Sequence, residues 1–248
     1  NFVTTWESES QDGSGYGSYG QLRSADGAML GGEFQVHTYN SSSSASQHNP
    51  SVTALKSGDF VVTWQGTYQE QGQNDSYPGI FGQRFGADGT AKGDEFQVNT
   101  YTYRQQQEPS VAALDNGGFV VTWDSYYQDS SNTWGVYGKM YDAEGEAESY
   151  EFRVNTTTSN NQYQQSVTDL DGGGFVVTWY SDSHSKTFAQ IFDRDGSPQG
   201  GEFEVSQHSS SYQPEVARLD GGGFVVTWED NTTSNDGSGY DIQGQVFD

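Results

Sequence analysis

Apolar residues along this chain never gather into the i, i+3, i+4 spacing of an amphipathic helix; they come in short stretches bounded by Gly, Asn and Asp. The strongest stretch is Phe-Val-Val-Thr-Trp, which stands at 60–64, 119–123, 175–179 and 224–228, with a close copy at 2–6. Units therefore begin near Phe2, Phe60, Phe119, Phe175 and Phe224, at spacings of 58, 59, 56 and 49 residues. A period in this range marks a stacked or radial repeat, in which each unit buries its apolar face against its neighbours.

Each unit reads as four short strands. The first, A, lies at 50–55, 109–114, 165–170 and 214–219, and B is the Phe-Val-Val-Thr-Trp tract. Between them, clusters such as Asp115-Asn116-Gly117-Gly118 supply positive φ at little cost, so A and B are predicted to form a tight antiparallel hairpin. C follows a variable loop at 19–23, 81–85, 137–141, 188–192 and 242–247, and D lies at 33–36, 95–98, 151–154 and 202–205. Alternation in D places Phe34 and Val36 on one face, Glu33 and Gln35 on the other.

Four antiparallel strands per unit, repeated around an axis, predict an all-β fold: a β-propeller of about five four-stranded blades. Strand A, with small Ser, Thr and Ala side chains, suits the crowded innermost place. A β-solenoid competes, but its coils are shorter than these units. The strand order BCD, ABCD, ABCD, ABCD, ABC leaves the first and last blades incomplete within a single repeat domain over 1–248. Packing with flanking repeats or another copy is the expected way to complete the ring.

Composition narrows the chemistry. Net charge is −24 from 34 acidic and 10 basic side chains, so the surface repels phosphate backbones and anionic bilayers, and no nucleic-acid partner is expected. With no cysteine, disulfides, thiolate metal sites and cysteine nucleophiles are excluded. No apolar run approaches the roughly 18 residues of a membrane span, so no membrane insertion is expected, and no signal peptide is present. The chain opens inside a strand motif, which reads as a start within a mature or excised segment.

Phe-Val-Val-Thr-Trp, a Gln-Asp-Gly-Ser-Gly loop, Tyr-Gly-Gln-type C strands, Asp-Gly, and Gly-Gly-Glu-Phe-Gln-Val form one combined pattern. It resembles the repeats of very large secreted bacterial calcium-dependent surface proteins of the RTX and adhesin type. The resemblance implies an extracellular, cell-surface location, type I secretion of the parent protein, Ca²⁺ and adhesion. The Gly-Gly-x-Gly-x-Asp nonapeptide of RTX rolls is absent, so a calcium site here would be of another kind.

Candidate ligands lie in the B–C loops. The segments at 11–17 and 235–241 are nearly identical, and Gln128-Asp129-Ser130 is a weaker echo. Hard cations take several oxygens, which makes Asp12, Asp129, Asp236 and Asp241 the candidate Ca²⁺ ligands; the competing reading is that Asp-Gly-Ser-Gly only makes turns. Trp6, Trp64, Trp123, Trp179 and Trp228 end the B strands and read as packing residues. Trp134, Tyr68, Tyr77, Tyr126 and Tyr127 fall off the repeat, so packing does not demand them and they are candidate ligand contacts.

Asp169 and Arg218 replace the alanines of strand A and read as an ion pair; Glu215 replaces a serine there. The four histidines lack metal-ligand spacing, and no Ser/His/Asp signature is present. The function expected from these observations is a non-catalytic, calcium-binding extracellular module serving adhesion or display, with no enzymatic activity. A lectin-like propeller with a glycan or cell-surface ligand is the second reading. A five-bladed glycoside hydrolase is the third, and it requires off-pattern carboxylates around one mouth.

Overall fold

The computed structural model describes residues 1–13, 15–38, 45–67, 77–129, 132–231 and 239–248. Eighteen strands and no helix are found among them, and the chain divides into two compact units, Asn1–Val111 and Ala112–Asp248. In the first unit, β1 (Phe2–Glu9), β2 (Tyr16–Arg23) and β3 (Met29–Gln35) form one antiparallel meander. β4 (Gln47–Ala54), β5 (Phe60–Gly66), β6 (Gly79–Phe85) and β7 (Ala91–Gln97) form the next.

β8 (Gln106–Ala113) runs across the division and opens the third sheet with β9 (Phe119–Tyr126), β10 (Trp134–Tyr141) and β11 (Phe152–Arg153). The second unit continues with β12 (Gln162–Asp169), β13 (Phe175–Ser181), β14 (Lys186–Phe192) and β15 (Pro198–Glu204). It ends with β16 (Ser211–Arg218), β17 (Phe224–Asp230) and β18 (Asp241–Phe247). The fold is an all-β propeller of five blades, with three strands in the first and last sheets as the strand count predicts.

Strand A begins about three residues earlier than the sequence pattern shows. A β-bulge interrupts the alternation in β4, β12 and β16, where Asn49 (51°), Gln164 (57°) and Gln213 (48°) take positive φ, and Glu108 at the matching place in β8 takes 53°. The bulge turns one amide away from the ladder, and the residue after the B-strand Trp of the preceding blade accepts it. Glu7 accepts from Asn49 at 2.5 Å, Gln65 from Glu108 at 3.0 Å, and Asp124 from Gln164 at 2.7 Å. A repeated side-chain clasp thus joins consecutive blades within each unit.

Aromatic residues join the same blades at their other end. The first Phe of B stacks on the last aromatic of C, as in Phe60–Phe85 (5.1 Å), Phe119–Tyr141 (4.9 Å), Phe175–Phe192 (4.9 Å) and Phe224–Phe247 (4.8 Å). The D-strand Phe of the preceding blade caps that stack: Phe34 on Phe85, Phe152 on Phe192, Phe203 on Phe247. In the third blade, Ser149 replaces the positive-φ Gly (Gly31, Gly93, Gly200) at the register shift between C and D, and β11 keeps only two residues.

Trp64, Trp123, Trp179 and Trp228 are buried, as their place in every B strand implies. Trp179 donates its indole N–H to Gln162 Oε1 at 3.2 Å. In the last blade Ser211 takes the place of that glutamine, and Trp228 Nε1 has no partner among the described residues. Leaving a buried donor unpaired costs about 1–3 kcal/mol. Ser211→Gln is therefore expected to raise stability by about 1 kcal/mol in urea unfolding, and a lower midpoint would refute the pairing.

Candidate functional site

The B–C loops and D–A links share one end of each blade, so side chains there come from loop tips and from the outer ends of A and B. Two of the candidate calcium ligands turn inward at this end. Asp12 Oδ2 lies 3.0 Å from His37 Nε2 and accepts from Gln35 Nε2 at 3.1 Å. The His37 ring holds the matching tautomer, because its Nδ1 accepts the Ser18 amide at 3.3 Å. Asp129, also buried, accepts from the Tyr137 hydroxyl at 2.5 Å and Asn155 Nδ2 at 3.1 Å, with Arg153 at 3.6 Å.

These carboxylates face N–H and O–H donors, whereas a calcium ion needs six to eight oxygens with outward lone pairs. Burial, the Asp129 hydrogen bond and the Asp129 charge all push the Tyr137 hydroxyl pKa upward, so it stays a donor. Asp241 pairs with Asp230 at the end of the β17–β18 ladder. Asp236 lies outside the described residues. Among the described residues no group of three His, Asp or Glu is placed to hold a metal ion.

The off-pattern aromatics separate into two places. In the first unit, Tyr77 meets Arg104, whose guanidinium lies 5.3 Å from the Tyr77 ring and 5.0 Å from that of Tyr103. Tyr68 lies outside the described residues. In the second unit, Tyr126 touches both Tyr127 (5.1 Å) and Trp134 (4.9 Å). The Trp134 amide donates to Asn161 Oδ1 at 3.1 Å, and Asn161 Nδ2 donates to Asp182 Oδ2 at 2.7 Å.

Asp182 opens onto the place where the repeat departs most from equivalence. The residue after the B-strand Trp is Glu7, Gln65, Asp124 or Glu229 in four blades but Tyr180 in the fourth. Tyr180 cannot serve as the clasp acceptor, and Gln164 Oε1 takes over the Gln213 amide at 3.3 Å. Tyr180 instead stacks with Tyr163 (5.4 Å, edge-on) and Tyr212 (4.8 Å, tilted). The Tyr163 hydroxyl donates to Asp182 Oδ1 at 3.3 Å.

Burial, with the nearby Asp182 charge, pushes the Tyr163 pKa up. Burial and its tyrosine and carboxylate neighbours push Tyr180 up to about 12. Both are therefore neutral donors at neutral pH. The B–C loop of this blade is short, only 182–185.

Two further carboxylates belong to the last blade. Glu229 lies opposite Tyr212 in the β16–β17 register, and Glu215, exposed on the inner strand, accepts from Ser166 Oγ at 2.9 Å. At the opposite end of the same strands, Arg218 pairs with Asp169 at 2.5 Å and with Asp171, as expected of a structural ion pair. The sequence reading did not single out Tyr163, Tyr180, Tyr212, Asn161 or Asp182. Their signal was present as departures from the repeat: tyrosine where other copies carry His48 or Gln107 in A, and an acid or amide after the Trp of B.

No family model and no curated protein matches this chain. Solved structures do. A Dyadobacter fermentans protein of unknown function superposes with a TM-score of 0.66 at 9% identity, over 99% of this chain and 75% of its own. A Penicillium chrysogenum alpha-L-arabinanase complexed with arabinobiose gives 0.63 at 16% identity, over 99% and 71%. The chain is a propeller of that architecture. A Fusarium graminearum alpha-L-arabinofuranosidase with an iminosugar inhibitor gives 0.62 at 12% identity, over 99% and 71%.

These neighbours correct the expectation of a non-catalytic calcium module, and with it the expectation that the chain is not an enzyme. Two of the propellers it superposes on are by name an arabinanase and an arabinofuranosidase.

Proposed function

We propose that this chain is a glycoside-hydrolase-like propeller that takes a glycan onto the Tyr163–Tyr180–Tyr212 shelf, with Asp182 and Glu215 as its working carboxylates. The observation that carries the reading is the replacement of the clasp acceptor by Tyr180. It gives up a repeated structural contact and, itself buried, supports the half-buried rings of Tyr163 and Tyr212 beside a positioned carboxylate. A sugar ring presents C–H faces and a rim of hydroxyls. Aromatic side chains take the faces, while Asp182, Asn161 and the tyrosine hydroxyls suit the rim. The fold neighbours, one of them complexed with arabinobiose, support a carbohydrate as the ligand class.

Cleavage of a glycosidic bond needs one carboxylic acid to protonate the leaving oxygen and one carboxylate to attack the anomeric carbon or to activate the attacking water. Asp182 is fixed by two donors, Asn161 and Tyr163, the setting of a carboxylate held to one geometry. That assigns it the base or nucleophile role. Glu215, the remaining off-pattern carboxylate on the inner strand of the adjacent blade, is left the acid role. The two lie on adjacent blades.

The test is incubation of the purified chain with neutral polysaccharides, arabinan and arabino-oligosaccharides first, following new reducing ends and retardation in affinity gels. Release of reducing ends supports the hydrolase. Retardation without release makes the propeller lectin-like, and neither effect across the panel removes the carbohydrate reading.

A further inference from the structure

The turns from C to D share one pattern: Ser24-Ala25-Asp26-Gly27, Gly86-Ala87-Asp88-Gly89, Asp142-Ala143-Glu144-Gly145 and Asp193-Arg194-Asp195-Gly196. In the first two, the carboxylate at the third place closes the turn. Asp26 Oδ1 accepts the Ala28 amide at 3.4 Å, and Asp88 Oδ1 accepts the Thr90 amide at 3.0 Å. In the fourth blade that task passes to Asp193 at the first place, whose Oδ1 accepts the amides of Asp195 (3.0 Å) and Ser197 (2.8 Å). The Asp195 carboxylate is thereby released and has no partner among the described residues. Arg194, which stands where three other turns carry alanine, has none either.

Arg194 and Asp195 line one cavity of about 310 Å³ with four residues of the third blade: Asn116 from the A–B turn, and Met140, Glu148 and Ser149 from C and D. That volume is at the lower end of small-ligand pockets, roughly 300–1,000 Å³. Met140 is buried beneath the neighbouring turn, where a Cβ on Gly196 would lie 2.8 Å from its Sδ. The Glu148 amide donates to the Met140 carbonyl at 3.0 Å, which puts its carboxylate where other D strands carry Leu30, Lys92 and Gln199. That carboxylate also lacks a partner among the described residues. Ser149 Oγ accepts the Met140 amide at 2.9 Å, and Asn116 Oδ1 accepts the Gly118 amide at 3.0 Å. The Ser149 hydroxyl proton and the Asn116 NH₂ group are left as donors.

A guanidinium and two carboxylates thus line one space without pairing with one another. An anionic ligand would meet the two acids, and a cationic one the arginine. A hydroxyl donates and accepts at once, so a ring of adjacent hydroxyls answers both kinds of group. Tyr150, next in the chain to Ser149, is 94% exposed where Gly32 and Gly201 stand in other blades, and adds a free aromatic face for the C–H side of such a ring.

We propose that this cavity is a second carbohydrate site, taking one neutral sugar unit. It lies at the end of the blades opposite Tyr163, Tyr180 and Tyr212, separated from them by the seven residues of β13, roughly 20 Å. Arg194 donates to neighbouring hydroxyl oxygens, and Glu148 and Asp195 accept from the hydroxyls. The assignment follows from the groups in the cavity and stands whether or not the tyrosine shelf cleaves glycans.

The experiment is isothermal titration of the full chain with short arabino-, xylo- and cello-oligosaccharides, in an Asp182→Asn/Tyr212→Ala background that disables the shelf. Saturable binding of at least one probe is expected, with Kd below about 1 mM. Adding Arg194→Ala should weaken it by roughly tenfold or more, and Tyr150→Gly by a few-fold. Both substitutions restore residues that other blades carry at these places, so the fold is expected to stand, and Tm checks it. Binding unchanged by Arg194→Ala, or none by any probe up to about 10 mM, overturns the proposal. Binding of free glycine or lysine that Arg194→Ala abolishes, with no sugar bound, also overturns it and makes the cavity a zwitterion site. In the otherwise unaltered chain, sugar binding that survives Tyr212→Ala and is lost with Arg194→Ala supports this site while removing the shelf.

Discussion

Asp182→Asn is expected to lower glycan hydrolysis by roughly 10²-fold or more while affinity-gel retardation stays within a few-fold of the parent. The substitution keeps the shape of the side chain and one acceptor oxygen for Asn161 or Tyr163 but removes the charge that an attacking group or water requires. Glu215→Gln is expected to lose rate to a similar extent, most for substrates with poor leaving groups, because those depend on a proton from the acid. A substrate with an activated aryl leaving group should recover much of the Glu215→Gln rate and none of the Asp182→Asn rate. That split separates acid from base. Unchanged rates in both variants would place the chemistry elsewhere. Tyr212→Ala, at the half-buried edge of the shelf, should raise KM with a smaller change in kcat, as loss of binding surface does.

The second large effect is on stability. Asp129→Ala is expected to destabilise the fold by about 3 kcal/mol, because two buried donors, the Tyr137 hydroxyl and Asn155 Nδ2, lose their acceptor at once. Adding Tyr137→Phe to that variant should recover part of the loss, since it removes one stranded donor; a double-mutant cycle reads the coupling directly. The loss should be the same in EDTA and in millimolar calcium. A calcium-dependent difference would show that Asp129 serves a cation after all. The sequence marked Asp12 and Asp129 for their loop position, yet the ligand geometry depends on which way the loop folds. In both cases it folds back over the C and D strands, toward donors from His37 and Gln35 or from Tyr137 and Asn155.

The B strands and their turns were legible because alternation and Asn/Gly chemistry are local, and each Phe-Val-Val-Thr-Trp copy forms a strand. The A strands read short in the sequence because a bulge at Asn49, Gln164 and Gln213 shifts the side-chain alternation by one residue. Tyr126 and Trp134 were found as off-pattern aromatics and do meet. Tyr163, Tyr180 and Tyr212 were hidden, since each looked like an ordinary substitution within a different strand.

The sequence by itself determined the strand inventory, the five-fold repeat, the incomplete first and last sheets and the acidic, cysteine-free character. All of these follow from periodicity and composition, which neighbouring residues carry on their own. Only the tertiary structure decided which departures from the repeat act together. Positions 163, 180, 182 and 212 come together because β12, β13 and β16 meet at one end, with Tyr180 buried against the half-buried Tyr163 and Tyr212. It also decided that Asp12 and Asp129 are buried acceptors. A carboxylate's role is set by the donors that long-range packing brings to it, and no local pattern in the chain encodes those.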